Sequence, residues 1–398
     1  MSTIFLDISR LVFRLYKGLL PTGIDRVGLA YIERYGSRAR AVLSGRGFST
    51  FLTERDSQHA FDLLLSSIRS RSALRKIVVR ACTNQLRSQN GGRGILLHTS
   101  HNGMEYPRYY GTMTKRDIRS VFMVHDLIPM THAEYCRPGI DEAHRRRIHT
   151  VLQRADGLIV NSTATLDELA TEANRAGLPL PPGVVAHLAP GNALHAPGER
   201  PIEAPYFVML GTIEPRKNHW FMLHVWRRLV ERLGAAAPKL VVIGNRGWEC
   251  ENAVDMLERC SGLQGAVIEE SGCSDERLAA WFHHAQALLF PSFVEGFGMP
   301  IIEALAMGTP VIASDLPVFR EIAGDTPDFL DPLDGPGWLS RIEAYARPNS
   351  HERAAQLAKI EAFRTPTWQE HFSCVDRFLD TLHSINQPAA FPDILRRV

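Results

Sequence analysis

The chain has 398 residues, of which 45% are apolar, and its 45 Lys and Arg nearly balance 43 Asp and Glu. The length predicts two domains, because a single core stops growing at roughly 250–300 residues, and the apolar fraction excludes wholesale disorder. The charge is unevenly placed, since residues 1–197 carry a net +10 and residues 198–398 a net −8. A basic half suits an anionic surface or substrate, and mutual steering of the two halves is the alternative.

The sequence indicates a cytoplasmic location. Its longest apolar runs, such as residues 285–290, are far shorter than the ~20 residues of a membrane-spanning helix. The first 14 residues lack the apolar core of a signal peptide. The six cysteines include no Cys-x-x-Cys pair, which is typical of reduced thiols. No stacking-aromatic or zinc motif supports a nucleic-acid partner.

Short apolar runs alternate with helical stretches along the whole chain. The runs are rich in Val, Ile, Leu and Phe without alternation, as expected of parallel strands covered on both faces. This β-α-β-α rhythm predicts an α/β protein with doubly wound sheets. Helices are predicted at 144–154, 163–175, 218–233, 275–284 and 300–307. Strands are predicted at 3–8, 94–98, 121–125, 157–161, 184–188, 206–210, 240–244, 266–269, 287–290 and 311–314.

A segment rich in Pro and Gly, residues 189–205, separates the two sets of strands and is the predicted linker. We therefore expect domains at 1–197 and 198–375. Open α/β sheets bind ligands at the carboxyl ends of their strands. Two such sheets facing each other would form a site in the cleft between them.

Two turns in the second half carry candidate binding residues. The predicted strand 206–210 runs into Gly211, after which Arg216 and Lys217 follow at its carboxyl end. Adjacent cations at such a place can clamp a diphosphate, and a solvated basic helix start is the alternative. The second turn precedes a helix near Pro300, where backbone N–H groups and the helix dipole favour an anion.

Two carboxylates accompany the second turn. Glu295 lies just before its Gly-x-Gly loop, and Glu303 lies about one turn into the helix. A carboxylate there suits the vicinal hydroxyls of a ribose, as in dinucleotide-binding folds. The alternative is a helix-capping acid followed by a solvated one.

Residues 206–325 resemble the nucleotide-binding domain of the GT-B glycosyltransferases, in particular retaining family 4, glycosyltransferase group 1. Glu295 and Glu303 match the Glu-x7-Glu motif of that family, and residues 211–218 match its diphosphate-binding turn. The resemblance is strongest to bacterial O-antigen and exopolysaccharide mannosyltransferases. Weaker agreement covers the loop at Gly23 and the strand end at His125. Thr367 and Trp368 open a terminal amphipathic helix, as in the family's final helix, whose last part, about 376–398, would pack back on the first domain.

The resemblance implies a role for each matching residue. Arg216 and Lys217 would hold the donor diphosphate, and Glu303 would bind the ribose. Glu295 would contact the donor sugar, and His125 would reach it from the first, acceptor-binding domain. The implied catalytic set is Glu295, His125, Arg216 and Lys217; the implied donor-binding set is Gly23, Gly211, Arg216, Lys217, Glu295, Gly296, Phe297, Gly298 and Glu303.

The first loop departs from this branch. Position 25 is Asp where the branch often has Gly, so an acceptor contact is the alternative to a close approach of this loop to the phosphates. The chain contains no Asp-x-Asp, a motif with which metal-dependent transferases often hold a cation. We therefore expect no metal and no cofactor. We expect His98 and His101 to have structural or acceptor-loop roles rather than to bind metal.

The leading interpretation is a transferase that uses a nucleotide sugar, GDP-mannose or else a UDP-sugar, and a glycan or lipid-diphosphate-linked acceptor. A peripheral contact with anionic inner-membrane lipid, through the basic run 145–147, is an additional expectation, with a solvated helix face as the alternative. A non-catalytic protein that binds sugar nucleotides is the second interpretation. A nicotinamide-dependent oxidoreductase is disfavoured, because the first loop has only Gly18 and Gly23 instead of Gly-x-Gly-x-x-Gly.

Overall fold

Two predominantly parallel sheets dominate the structure. The computed structural model describes residues 3–19, 21–66, 70–84, 93–191 and 198–384. The strands of the first sheet are β1 (Thr3–Asp7), β2 (Ala39–Gly45), β3 (Phe48–Phe51), β4 (Gly94–His98), β5 (Ile118–Val124), β6 (Gly157–Val160) and β7 (Gly183–Val185); those of the second are β8 (Tyr206–Leu210), β9 (Lys239–Ile243), β10 (Val267–Glu270), β11 (Leu288–Phe290), β12 (Val311–Ser314) and β13 (Asp328–Leu330).

Helices connect most of these strands and cover the sheets. They are α1 (Ser9–Lys17), α2 (Gly23–Tyr35), α3 (Glu54–Leu65), α4 (Arg71–Asn84), α5 (Pro107–Thr114), α6 (Ile128–Thr131), α7 (Ile140–Arg154), α8 (Thr163–Ala176), α9 (His219–Leu233), α10 (Glu251–Arg259), α11 (Asp275–His284), α12 (Met299–Ala306), α13 (Pro317–Ala323), α14 (Gly335–Ala346), α15 (His351–Glu361) and α16 (Trp368–Ser384).

The strand orders are those of doubly wound sheets. The second sheet runs β10-β9-β8-β11-β12-β13, which is the 3-2-1-4-5-6 order of dinucleotide-binding folds. The first runs β3-β2-β1-β4-β5-β6-β7, and β3 joins its edge as the antiparallel arm of a hairpin with β2. In such sheets the loops that follow the parallel strands meet at one edge, where ligands bind. The predicted α/β class with two doubly wound sheets is confirmed.

Each sheet buries its own core. In the second, the apolar face of α9 presents Met222, Trp226 and Leu229, and the indole nitrogen of Trp226 donates to the Pro238 carbonyl at 3.1 Å. In the first, Phe5 and Leu96 from neighbouring strands pack in the core of the sheet. Because β-strands that are buried on both faces need continuous apolar runs, these strands were visible in the sequence.

The chain divides into two compact units. The first comprises the described parts of Met1–Met130, Gly139–Leu188 and Trp368–Val398; the second comprises Thr131–Pro138 and Ala189–Thr367. The predicted boundary was 197/198, whereas the units divide at 188/189. Residues 192–197 lie outside the described residues. The chain stays with the first sheet past β7, since the Ala186 N–H donates to the Val160 carbonyl at 2.9 Å.

The last described helix, α16, belongs to the first unit. His371 carries much of this contact, because its Nε2 lies 3.0 Å from the Tyr31 hydroxyl and its Nδ1 lies 3.2 Å from the Ala186 carbonyl. Asp376 accepts hydrogen bonds from Arg34 at 2.6 Å and from Tyr35 at 2.8 Å. The helix begins at Trp368, where the sequence predicted its start, and residues 385–398 of the predicted span lie outside the described residues.

Three strands escaped the sequence analysis: β2, β3 and β13. β2 mixes small and charged residues, and β3 and β13 have only four and three residues. β3 and β13 are edge strands, and short strands at an edge lack the apolar run that marks a central strand. The hairpin of β2 and β3 nevertheless shapes one border of the first unit.

Candidate functional site

Two turns of the second unit bring oppositely charged side chains together. Arg216 and Lys217 lie in the turn after β8, and Glu295 lies in the loop between β11 and α12. Arg216 Nη1 donates to Glu295 Oε2 at 2.6 Å, and Lys217 Nζ donates to Glu295 Oε1. Arg216 Nε also lies 2.6 Å from Glu214 Oε1. We call these four residues, Glu214, Arg216, Lys217 and Glu295, the charge cluster.

The backbone fixes the two turns against each other. The N–H of Phe293 donates to the Arg216 carbonyl at 2.9 Å, and the Ser292 hydroxyl donates to Glu295 Oε1 at 2.8 Å. The neighbouring turn after β9 approaches closely, since a Cβ at Gly244 would lie 1.9 Å from the Gly211 carbonyl oxygen. Only glycine fits this approach, which explains why strand–glycine turns repeat in this unit.

The charge cluster is largely buried, and burial sets its electrostatics. Burial alone would raise the pKa of Glu295, but the attraction of Arg216 and Lys217 outweighs it and lowers that pKa to about 2. Burial lowers the pKa of Lys217 against the attraction of Glu295. Burial raises the pKa of Glu214 against the attraction of Arg216. The charges of the two carboxylates and the two cations thus balance within the charge cluster.

Glu303 lies apart from the charge cluster. It is buried on α12, a helix that begins at Met299 with Pro300 in its first turn, as predicted. Gly298 precedes this helix with a φ of 110°, and a Cβ there would lie 2.9 Å from the ring of Phe319. Glu303 Oε1 lies 3.4 Å from the backbone nitrogen of Gly191. The carboxylate is therefore held beside the linker segment rather than beside Glu295.

His125 belongs to the first unit, at the end of β5. Its Nε2 lies 2.9 Å from the Thr99 carbonyl, which makes Nε2 the protonated nitrogen and leaves Nδ1 as an acceptor. Asn161 donates to the His125 carbonyl at 2.9 Å. Burial lowers the pKa of His125, so the imidazole is neutral near pH 7. The ring is oriented by the fold and does not depend on a charged partner.

Two further histidines, which the sequence did not link to His125, support its position. His101 Nε2 accepts the backbone N–H of His125 at 3.0 Å, and His144 Nε2 lies 3.1 Å from the Asp126 carbonyl. The ring of His101 lies 5.3 Å from that of His125 and 5.0 Å from that of His144. Burial lowers the pKa of His101 and of His144. The structural contribution of His101 is thus to accept a hydrogen bond from the backbone of His125.

The first loop has a local explanation for its aspartate. Gly23 is the first residue of α2, and Asp25 closes a capping box with Thr22, whose backbone N–H and hydroxyl both donate to Asp25 at 2.7 Å. Arg10 and Arg14 lie 2.8 and 2.6 Å from the same carboxylate. The protein itself engages both carboxylate oxygens of Asp25, and the suggested acceptor contact of this loop stays a prediction. A Cβ at Gly23 would meet nothing within 4 Å, so packing does not demand glycine there.

The structure groups only part of the predicted set. Arg216, Lys217 and Glu295 meet, and a Cβ at Gly211 would lie 3.3 Å from the Lys217 side chain. Glu303 is separate, and Gly23 and His125 lie in the first unit. The roles implied for Gly296, Phe297 and Gly298 toward a donor stay predictions. Glu214 and Ser292 were missed, although Glu214 belongs to the same turn. Within the described ranges, no group of three or more His, Cys, Asp and Glu is placed to hold a metal ion.

Comparison with solved structures shows the GT-B glycosyltransferase fold. HepE from Anabaena, solved in complex with UDP and glucose, matches with a TM-score of 0.67 at 14% identity, over 97% of this chain and 100% of HepE. TarM from S. aureus, solved with UDP among its ligands, matches with a TM-score of 0.58 at 12% identity, over 84% of this chain and 64% of TarM. These identities establish the fold alone.

Sequence comparison then gives a family match. Residues 192–329, about a third of the chain, match the model described as glycosyl transferases group 1. The serotype-specific mannosyltransferase WbdA of Escherichia coli is 30% identical over 278 residues, 63% of this chain and 34% of WbdA. The O-antigen chain mannosyltransferase B of Escherichia coli is 36% identical over 165 residues, 41% of this chain and 42% of that relative. The chain spans only about a third to two fifths of these relatives, and the predicted resemblance is confirmed.

Replacing Glu295 by Gln tests the charge cluster. Its folded pKa of about 2 lies below the ordinary value of 4.5, so the ionised carboxylate contributes stability that is present above about pH 4.5 and is lost as the pH falls towards 2. The shift corresponds to about 3 kcal/mol. We expect Glu295→Gln to lower the free energy of unfolding by that order in urea titrations at pH 7. The deficit should shrink between pH 5 and pH 3.

The matched control is Glu361→Gln, which removes an exposed carboxylate from the same unit. It should leave the free energy of unfolding within about 0.5 kcal/mol. A deficit in Glu295→Gln that equals the control at pH 7 would contradict the geometry of the charge cluster.

Proposed function

We propose that this protein is a retaining glycosyltransferase that moves a sugar from a nucleotide sugar to a glycan or lipid-linked saccharide. The first choice of donor is GDP-mannose, and the setting is the synthesis of a bacterial surface polysaccharide in the cytoplasm. The observation that carries the proposal is the buried charge cluster, which lies within the segment of the group 1 family. Its two adjacent cations, Arg216 and Lys217, supply charge that a diphosphate leaving group would require.

The donor has two candidates, each with its own support. The mannosyltransferase names of WbdA and of the O-antigen relative favour mannose. The UDP bound to HepE and to TarM favours a UDP-sugar as the alternative. Because Glu303 would bind a ribose, which both donors contain, it does not distinguish them.

The proposed chemistry follows from the charges. The bond between the sugar and the diphosphate breaks, the sugar gains positive character, and negative charge collects on the leaving diphosphate. Arg216 and Lys217 would stabilise that charge, since preorganised cations in a buried site lower the barrier to such a step. The entering diphosphate competes with Glu295 for both cations, and the released carboxylate can then accept hydrogen bonds from sugar hydroxyls.

The remaining roles complete the proposal. The acceptor hydroxyl forms the new bond to the sugar on the face from which the diphosphate leaves, and the leaving phosphate takes its proton. His125 would receive a sugar hydroxyl at Nδ1, the nitrogen left as an acceptor. Arg216 and Lys217 would take the place of a divalent metal, so the reaction would proceed in the presence of a chelator.

Nucleotide binding is the most direct test of the donor site. We expect GDP, without added metal, to stabilise the protein against thermal unfolding more than UDP, ADP or CMP. At about 100 times its dissociation constant, a ligand adds about 2.7 kcal/mol. Glu303→Gln and Glu303→Ala should lose most of this shift, because the ribose loses its charged acceptor.

Glu361→Ala serves as the control and should keep the full shift. A thermal shift that is larger with UDP than with GDP would still agree with a transferase. It would make a UDP-sugar, instead of GDP-mannose, the first choice of donor. A GDP shift that is unchanged in both Glu303 variants would contradict the role given to Glu303. No shift with any nucleotide would contradict the donor site itself.

We further propose that the first unit touches anionic membrane lipid through α1. None of the helices in the described ranges is long and apolar enough to cross a membrane. Phe13, Tyr16 and Leu19 are 55%, 52% and 45% exposed, and Lys17 beside them is exposed. Exposed aromatic and apolar side chains next to a cation suit the interface of an anionic bilayer.

The basic run expected to make this contact is less suitable than α1. Arg145 lies 3.7 Å from Glu172, and Arg147 lies 3.3 Å from Glu105, so both are already paired with carboxylates. Of the three arginines, Arg146 is the exposed one. Their charge is therefore largely compensated within the first unit.

Vesicle sedimentation tests the lipid contact. We expect the protein to bind phosphatidylcholine vesicles that contain about a third phosphatidylglycerol, and to bind pure phosphatidylcholine several-fold less. The double variant Phe13→Ser/Tyr16→Ser should weaken binding several-fold, because it removes the exposed apolar area. The control is Leu333→Ser, at a side chain that is 68% exposed in the second unit, and it should leave vesicle binding unchanged. Binding that ignores both lipid charge and the α1 variant would contradict the contact.

A further inference from the structure

A groove at the border of the first unit has no part in the proposed donor site. It lies between the edge strand β3 and the outer side of α5, and its volume is about 280 Å³. Four consecutive residues of β3 form one wall. The other wall is formed by Arg108 and Thr112, which lie one turn apart on α5, and by Arg116, two residues beyond the end of that helix. The lining residues are Phe48, Ser49, Thr50, Phe51, Arg108, Thr112 and Arg116.

The lining is cationic and aromatic. The guanidinium carbon of Arg108 lies 3.7 Å from the centre of the Phe48 ring, and that of Arg116 lies 4.5 Å from the centre of the Phe51 ring. Stacking on a ring restrains a guanidinium while its N–H edge stays able to donate. The seven lining residues include no carboxylate. A group that accepts two N–H bonds, a carboxylate or a phosphate, is the natural complement.

Neighbouring charges make this border more positive. Burial and the nearby charge of Arg116 lower the pKa of Arg40, although Glu54 opposes the shift. Arg40 is held by hydrogen bonds to the Leu52 carbonyl at 2.8 and 3.1 Å and does not line the groove. Its charge adds to the potential that an anion would meet there.

We propose that the groove binds an oxyanion-bearing saccharide, whose carboxylate or phosphate is held by Arg108 and Arg116. Phe48, which is 53% exposed, adds an apolar ring edge, and Thr50 and Thr112 add hydroxyls for the sugar. The choice of a saccharide rests on the proposed function, in which a glycan is the acceptor. The oxyanion itself rests on the two guanidinium groups.

The position of the groove suits a remote part of a long glycan. The sheet order places β3 four strands from β5, whose end carries His125. β3 therefore lies at the edge of the sheet, whereas His125 follows a strand in its interior. A glycan that reached both places would need several sugar residues. The groove would then sense an acidic residue distant from the sugar that reacts.

Calorimetric titration of the full chain without nucleotide tests this inference. The probes are a tetrasaccharide with one uronic acid, the same tetrasaccharide with its carboxylate reduced to an alcohol, mannose 6-phosphate and inorganic phosphate. We expect the reduced tetrasaccharide to bind at least tenfold more weakly than the acidic one. Mannose 6-phosphate should identify a phosphate as the better oxyanion if it binds more tightly than the uronic acid.

Variants identify the residues involved. Arg108→Gln should weaken binding at least tenfold, and Arg108→Lys should weaken it as well, because an ammonium lacks the guanidinium fork. Arg116→Gln should also weaken binding of the acidic tetrasaccharide, and it tests the groove independently of the exposed Arg108. Arg55→Gln removes an exposed charge from the same unit and should leave binding unchanged.

Several results would overturn the inference. Equal binding of the acidic and reduced tetrasaccharides would contradict recognition of an oxyanion. Binding at the wild-type level by both the Arg108 and the Arg116 variants would contradict the groove as the binding site. If inorganic phosphate bound as tightly as both saccharide probes, the result would contradict recognition of the saccharide part of the ligand. The proposed function fails separately: nucleotides would then give no thermal shift, whether or not the acidic saccharide binds.

Discussion

Burial of four charges at one corner of the second unit is the constraint on which the two candidate donor turns depend. Arg216 is held between Glu214 and Glu295, and Lys217 shares Glu295 with it. Removing one member would leave a buried charge without compensation, which is more costly than losing an exposed pair. The proposed function requires that a diphosphate, which carries more charge than a carboxylate, replace Glu295 as the partner of both cations.

The two units hold their candidate functional residues by different kinds of interaction. The second holds its candidate site by ion pairs and by glycines that let the turns after β8 and β9 approach each other. The first holds His125 by neutral hydrogen bonds: its Nε2–H donates to the Thr99 carbonyl, its backbone N–H donates to His101, and its carbonyl accepts from Asn161. A neutral imidazole can be both donor and acceptor, whereas a protonated one can only donate. Burial of the three histidines therefore preserves the hydrogen bonds that orient His125.

The sequence predicted the second unit better than the first, and the reason is physical. Central parallel strands need unbroken apolar runs, so β8 and β12 were visible with their correct ends. The hairpin of β2 and β3 has no such run and was missed, together with the groove beside it. The capping role of Asp25 was missed because it depends on the start of α2, which the sequence did not reveal. Residues 216, 217 and 295 were found by motif, but their direct ion pairing depends on two distant turns meeting.

Turnover of a nucleotide sugar tests the central claim most directly. The protein, a mannose-terminated saccharide acceptor and either GDP-mannose or a UDP-sugar are incubated with a chelator, and released nucleoside diphosphate and extended saccharide are measured together. The account predicts equal amounts of both products, and a large loss in Arg216→Lys, which keeps one charge but lacks the bidentate fork. Nucleotide binding without any sugar transfer would contradict the account and indicate a protein that only binds sugar nucleotides.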